Sequence, residues 1–65
     1  MDKQIEKALD LFKNKEWEKA IDAFSRLLEK ETKSAELYNN LALCYYNISE
    51  YEQAEKFFLK VYKQH

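Results

Sequence analysis

The stretch that decides the fold is residues 38–61, which read YNNLALCYYNISEYEQAEKFFLKV. Its apolar residues recur at three- and four-residue spacing on both sides of a short polar break, which is typical of two amphipathic helices joined by a turn. Shifting the chain by 34 residues places this stretch on residues 4–27, QIEKALDLFKNKEWEKAIDAFSRL. The shift pairs apolar residues at six positions: Ala8 with Ala42, Leu11 with Tyr45, Trp17 with Tyr51, Ala20 with Ala54, Phe24 with Phe58, and Leu27 with Val61. A two-helix unit that repeats every 34 residues predicts an all-α chain in which two antiparallel hairpins stack.

Four helices are expected, and polar residues mark where several of them begin. We place the helices at about residues 2–13, 16–31, 35–48 and 50–63. Asp2 and Ser34 are suited to cap the first and third helices, because their side-chain oxygens accept hydrogen bonds from free backbone N–H groups. Ser49 followed three residues later by Glu52 is typical of a capping box at the start of the fourth helix.

The turns are less well defined by the sequence than the helices are. Asn14 and Asn47 are candidates for the left-handed residue that ends a helix, since asparagine tolerates positive φ. Residues 29–35 contain nothing that forbids a helix. The second and third helices could therefore fuse into one rod, in which case two chains would exchange hairpins as a domain-swapped dimer.

Small and large residues at fixed places predict how the hairpins pack. Four alanines are expected where paired helices approach most closely, at Ala8, Ala20, Ala42 and Ala54. Phe24 and Phe58 are expected to fill the space beside them. We expect Tyr38, Tyr45 and Tyr51 to pack in the core and to keep their hydroxyl groups in water.

The composition argues against enzymatic and cofactor chemistry. The 65 residues form one small domain at most. Without any glycine or proline, the chain lacks both the phosphate-binding loop and the dinucleotide-binding fingerprint. Cys44 is the single cysteine and cannot form an internal disulfide, and Cys44 with His65 is far short of a zinc ligand set. Because no nucleophile is paired with a base, we expect no enzyme and no catalytic, cofactor or metal site.

The charge pattern limits the kinds of partner. Lysine and arginine number 11, aspartate and glutamate number 12, and the signs alternate without a basic block. We therefore expect neither nucleic acid nor an anionic membrane as a partner. No apolar run approaches the roughly 20 residues that span a bilayer, and the charged start lacks a signal-peptide core. A cytoplasmic location fits these features.

The pattern resembles the tetratricopeptide repeat family over essentially the whole chain. The second repeat has large, large, small, large, aromatic, small, large and small residues where the family has them, at Tyr38, Leu41, Ala42, Tyr45, Tyr51, Ala54, Phe58 and Val61. In the first repeat, Gln4 and Lys7 replace the apolar residues that would face a preceding repeat, as suits an N-terminal end. The resemblance implies an α-solenoid fragment of four helices, with hairpins over residues 1–34 and 35–65 that together form one small domain. Lys15 and Ser49 stand where the family usually has a turn glycine.

The resemblance also implies a protein-interaction scaffold whose first helix in each repeat lines a concave groove. Carried over by position, the predicted groove residues are Ile5, Leu9, Phe12, Asn39, Asn40, Leu43, Tyr46 and Asn47. An apolar and aromatic strip edged by amides suits an amphipathic helix or an extended apolar peptide. Only Asn40 matches the set with which some family members hold a terminal carboxylate, so no such clamp is expected. A simpler interpretation of Leu9 and Phe12 is that they complete the small core.

The fourth helix points to a second interpretation. Phe57, Leu59 and Tyr62 are expected to face at least partly outward, whereas arrays of this family normally end in a helix with a polar outer face. We therefore expect either a fragment of a longer array or a homo-oligomer in which copies cover each other. The alternative function is self-association without an outside ligand, in a natural fragment or an engineered repeat protein.

Overall fold

A computed structural model describes residues 3–31 and 33–63 of the chain. These residues form four α-helices and no strand: α1 (Lys3–Lys13), α2 (Trp17–Lys30), α3 (Ala35–Asn47) and α4 (Tyr51–Lys63). Each helix packs against the next one along the chain. The prediction of an all-α chain with four helices in consecutive packed pairs is therefore confirmed. The cap predicted at Asp2, and His65, lie outside the described residues.

The turns after α1 and α3 have the same construction. In the first, Lys15 N–H donates to the Phe12 carbonyl at 3.0 Å, and Glu16 N–H donates to the Leu11 carbonyl at 2.9 Å. This pair of bonds is the Schellman motif, in which the residue after the helix cap has positive φ. Lys15 has that conformation, with φ of 62°.

The turn after α3 repeats this pattern, with Ser49 at φ 65°. Ser49 N–H donates to the Tyr46 carbonyl at 3.0 Å, and Glu50 N–H donates to the Tyr45 carbonyl at 2.9 Å. The prediction of left-handed stops at Asn14 and Asn47 was wrong, because the hydrogen-bond pattern requires positive φ farther along the chain. Both left-handed residues occupy the places where the family usually has glycine.

The two predicted serine caps had different outcomes. Ser34 caps α3 as expected, since its Oγ accepts a hydrogen bond from Leu37 N–H at 3.2 Å. The capping box at Ser49 and Glu52 was wrong, because Ser49 is used by the left-handed turn and α4 begins only at Tyr51. Ser49 Oγ instead accepts a hydrogen bond from the Tyr51 hydroxyl at 3.4 Å.

The second and third helices are separate in this structure. α2 ends at Lys30 and α3 begins at Ala35. Glu31 N–H donates back to the Leu27 carbonyl at 2.9 Å, and Ser34 N–H donates to the Glu31 carbonyl at 3.2 Å. These bonds bend the chain between the helices, so the structure has the two-hairpin form and not the fused rod.

The hydrophobic core lies mainly between α2 and its two neighbours. Its buried cluster consists of Ala8, Ala20, Phe24, Leu27, Leu28, Leu37, Leu41 and Cys44. All four predicted alanines are buried. Tyr38 and Tyr45 pack against the cluster as predicted. Tyr51 was predicted in the core, but it does not pack against this cluster, and 58% of its surface is exposed.

Candidate functional site

A cleft lies between α1 and the start of α3, and we name it the α1–α3 cleft. It has a volume of about 250 Å³. Its lining residues are Gln4, Ile5, Leu9, Leu27, Lys30, Glu31, Ser34, Glu36, Leu37 and Asn40. Ile5 and Leu9 are half-buried and pack against the core with part of their surface, while the remainder faces the cleft. The result is an apolar floor with a polar and charged rim.

The structure brings together only part of the predicted groove at this cleft. Ile5, Leu9 and Asn40 line it. Phe12 does not, because its ring packs edge-on against Trp17 at a centroid distance of 5.3 Å and against Phe24 at 6.4 Å. Phe12 therefore serves the core, in agreement with the simpler interpretation of that residue.

The remaining predicted groove residues also lie on α3, but they do not line the cleft. Leu43 is half-buried, and Asn39 is exposed on the same helix. The Asn47 side-chain amide donates to the Leu43 carbonyl at 2.7 Å, near the end of α3. Tyr46 is 56% exposed, and its ring meets the Tyr51 ring edge-on at 5.4 Å. The predicted strip is thus divided, with Tyr46 belonging to a second surface.

This second surface is an open groove of about 500 Å³ between the end of α3 and α4, and we name it the α4 groove. Its lining residues are Tyr46, Tyr51, Ala54, Glu55, Phe58, Leu59 and Tyr62. Among residues 3–31 and 33–63, all four exposed large hydrophobic side chains lie here: Tyr46, Tyr51, Leu59 and Tyr62. The outward positions predicted for Leu59 and Tyr62 agree with this groove. Tyr51 and Phe58 also line it, although the repeat pattern predicted both in the core.

Phe57, the other residue of the predicted self-association face, lies apart from this groove. Its ring stacks on Tyr38 at 6.1 Å and on Tyr45 at 5.6 Å. The Lys60 ammonium lies 5.2 Å from the Tyr38 ring centroid and 5.4 Å from that of Phe57. Phe57 therefore helps to hold α3 and α4 together on the other side of α4.

The outer face of α1 and α2 has a different character. A broad cleft of about 710 Å³ there is lined by Gln4, Lys7, Leu11, Glu18, Lys19, Asp22, Ala23, Arg26, Leu27, Glu29 and Lys30. Arg26 Nε and Asp22 Oδ2 form an exposed ion pair at 3.3 Å. Most of the side chains that line this cleft are charged or polar, in contrast to those of the α4 groove.

The single cysteine, Cys44, is buried in the core and lines neither surface. Burial raises the pKa of the Cys44 thiol to about 11, so the thiol is protonated at neutral pH and is a poor nucleophile. In the part of the chain that the structure describes, no group of three or more His, Cys, Asp or Glu residues is placed to hold a metal ion. None of the four helices is long and apolar enough to cross a membrane.

Comparison with known proteins agrees with this architecture. Residues 11–65 match the family model for the tetratricopeptide repeat. The chain is also similar to the TPR repeat-containing protein YsoA of Bacillus subtilis (strain 168), with 27% identity over 63 residues. That alignment covers 97% of this chain and 19% of the relative, so the chain spans about a fifth of that protein's length. No solved structure matches the chain significantly.

Proposed function

Because this chain belongs to the tetratricopeptide repeat family, whose members are typically non-enzymatic protein-interaction modules, we propose that it is an adaptor that binds an apolar helix or extended peptide along α1 and α3. The observation that carries the proposal is the α1–α3 cleft, where half-buried Ile5 and Leu9 face Asn40 across the two helices. In this proposal residues 1–34 and 35–65 act as one domain, since the cleft needs both hairpins. The proposed site of action is the cytoplasm.

The size of the cleft favours a peptide over a small molecule. Pockets for drug-sized ligands have volumes of about 300 to 1,000 Å³ and enclose most of the ligand. The α1–α3 cleft has about 250 Å³, which is below that range. Such a site is suited to anchor one or two apolar side chains of a peptide whose backbone continues along the surface.

The polar groups around the cleft favour an uncharged or mixed-charge ligand segment. Lys30, Glu31 and Glu36 bring both signs of charge to the rim, so a strongly charged peptide would meet repulsion on one side. Asn40 offers an amide donor and an amide acceptor that can bond a peptide backbone. In this proposal the peptide also contacts exposed Asn39 and half-buried Leu43, which lie on the same helix.

The test is to select peptides on the immobilised chain from a displayed random library and to measure their Kd with variants. Leu9→Glu should weaken binding at least tenfold, because it places a charge on the apolar floor. Asn40→Arg should do the same by filling the cleft, without altering the core. Leu59→Glu is the matched control, since Leu59 lies in the α4 groove. Peptide binding that survives both Leu9→Glu and Asn40→Arg, in folded variants by circular dichroism, would contradict the proposal.

A further inference from the structure

The 34-residue repeat makes α4 the counterpart of α2. The face of α4 that forms the α4 groove therefore corresponds to a face of α2 that is covered in this structure. Phe58 and Tyr62 are the counterparts of Phe24 and Leu28, which lie 34 residues earlier. α3 packs on α2, where Phe24 is 0% exposed and Leu28 is 8% exposed. Tyr62 is 79% exposed at the equivalent place. An apolar face of this kind, with a groove of about 500 Å³, is suited to receive another helix.

The chain's own first helix is a poor candidate to fill the groove of another copy. In α3, Leu41 is 2% exposed and belongs to the buried cluster that α3 shares with α2. The residue at the equivalent place in α1 is Lys7, which is exposed. Among the residues that line the groove, only Glu55 carries a carboxylate. Desolvating the Lys7 ammonium group among the aromatic side chains would cost free energy that burying an apolar side chain such as Leu41 does not. Copies of the chain are therefore not expected to stack head to tail in a row.

The charges on α4 instead complement a second copy of α4 that runs in the opposite direction. Glu52 lies in the first turn of α4 and Lys63 in the last, and both are exposed. They are separated by about three helical turns and so point in nearly the same direction. Tyr51 and Tyr62 have the same separation. An antiparallel neighbour would place each Glu52 opposite a Lys63 and each Tyr51 near a Tyr62.

We infer that two copies of this chain associate through their α4 grooves about a two-fold axis, with the two α4 helices antiparallel. Such an interface uses the same patch on both copies and closes on itself, so it forms a dimer and not a filament. Tyrosine and leucine side chains supply the apolar contact. The two Glu52–Lys63 pairs set the direction of the helices, which is the usual role of charges at the edge of an interface.

Sedimentation of the 65-residue chain at graded concentrations and low salt tests this inference. The unaltered chain should show a monomer–dimer equilibrium. Glu52→Lys and Lys63→Glu should each raise the dimer Kd about tenfold, since each replaces two attractions by two repulsions. An equimolar mixture of these two variants should regain dimerisation, because every pair across the axis is then opposite in charge. Raising the salt concentration should reduce both effects.

Two further variants keep the test specific. Glu18→Lys makes the same change at the equivalent exposed position in the first turn of α2, and it should leave the Kd unchanged. Tyr62→Ser removes a side chain that is 79% exposed, so the fold should survive while dimerisation is lost. A chain that stays monomeric at every concentration would overturn the inference and leave the groove to a foreign helix. If the equimolar mixture of Glu52→Lys and Lys63→Glu dimerises no more tightly than either variant alone, that result would also overturn the inference. No peptide is present, so the result is independent of the proposed adaptor function.

Discussion

Lys15 and Ser49 lie 34 residues apart and share a left-handed backbone, with φ of 62° and 65°. Each is followed by a residue whose N–H closes the end of the preceding helix, at Glu16 and Glu50. A side chain at positive φ costs roughly 1–2 kcal/mol relative to a right-handed conformation. The chain therefore carries two strained positions that are part of the repeat geometry itself.

Replacing Lys15 by glycine is expected to stabilise the protein by about 0.5–1 kcal/mol, because glycine relieves the strain at a smaller entropic cost. Urea denaturation measures the change. Asn14→Gly, one residue earlier at negative φ, is the control and should be neutral or destabilising. Stabilisation by Asn14→Gly instead would place the left-handed residue where the sequence first suggested it.

The serine that caps α3 provides a second prediction. Ser34→Ala should reduce the free energy of unfolding by about 1 kcal/mol, since Leu37 N–H loses its acceptor. Ser49→Ala is the matched control and should change stability by only a few tenths of a kcal/mol, because Ser49 caps no helix. Equal losses in the two variants, measured by thermal unfolding, would argue that both serines cap.

Phe24 and Phe58 occupy equivalent places in the two repeats, but we expect their replacement by alanine to reduce the free energy of unfolding by very different amounts. Phe24 is fully buried, so Phe24→Ala should cost about 3–5 kcal/mol. Phe58 is half-buried at the edge of the α4 groove, and Phe58→Ala should cost about 1–2 kcal/mol in the monomer. Urea denaturation at low protein concentration compares them, and Phe24→Leu substitutes if Phe24→Ala does not fold. Equal costs would mean that a further element covers Phe58.

Because the Cys44 thiol is buried, we expect its contribution to the free energy of unfolding to decrease in alkaline solution. The thiol pKa is raised from 9.0 to about 11 by burial, so the unfolded chain releases its proton first as pH rises. The contribution of the neutral thiol is fully present below about pH 9 and falls between about pH 9 and 11. Comparing the pH dependence of unfolding with that of Cys44→Ala isolates the effect. A difference between the two proteins that stays constant across this range would contradict the assigned burial.

The sequence predicted the repeat and the helices well, because both depend on periodic side chains that are present in the chain itself. Ala8 and Ala54 are buried as their spacing required. The prediction at Ser49 was wrong because this serine fits both a capping box and a left-handed turn. In the structure the hydrogen bonds of the turn determine its conformation. The prediction at Tyr51 was also wrong, because a repeat position is buried only when a neighbouring helix covers it.

The candidate sites were predictable from the sequence only in part, because tertiary packing decides which side chains of a helix face become buried. Ile5, Leu9 and Asn40 share a face by helical spacing, and the structure brings them to one cleft. Phe12 shares that spacing but turns its ring toward Trp17 and the core. The direction of a side chain at the edge of a face depends on tertiary packing, which the spacing alone does not determine.

Backbone amide NMR shifts of the chain, titrated with a peptide selected on it, test the central claim most directly. We predict that the largest shift changes fall on Ile5, Leu9 and Asn40, with smaller ones along α3 at Leu43. Largest changes around Tyr51 and Tyr62 in α4, or around Lys7 and Arg26 on the charged outer face, would contradict binding along α1 and α3.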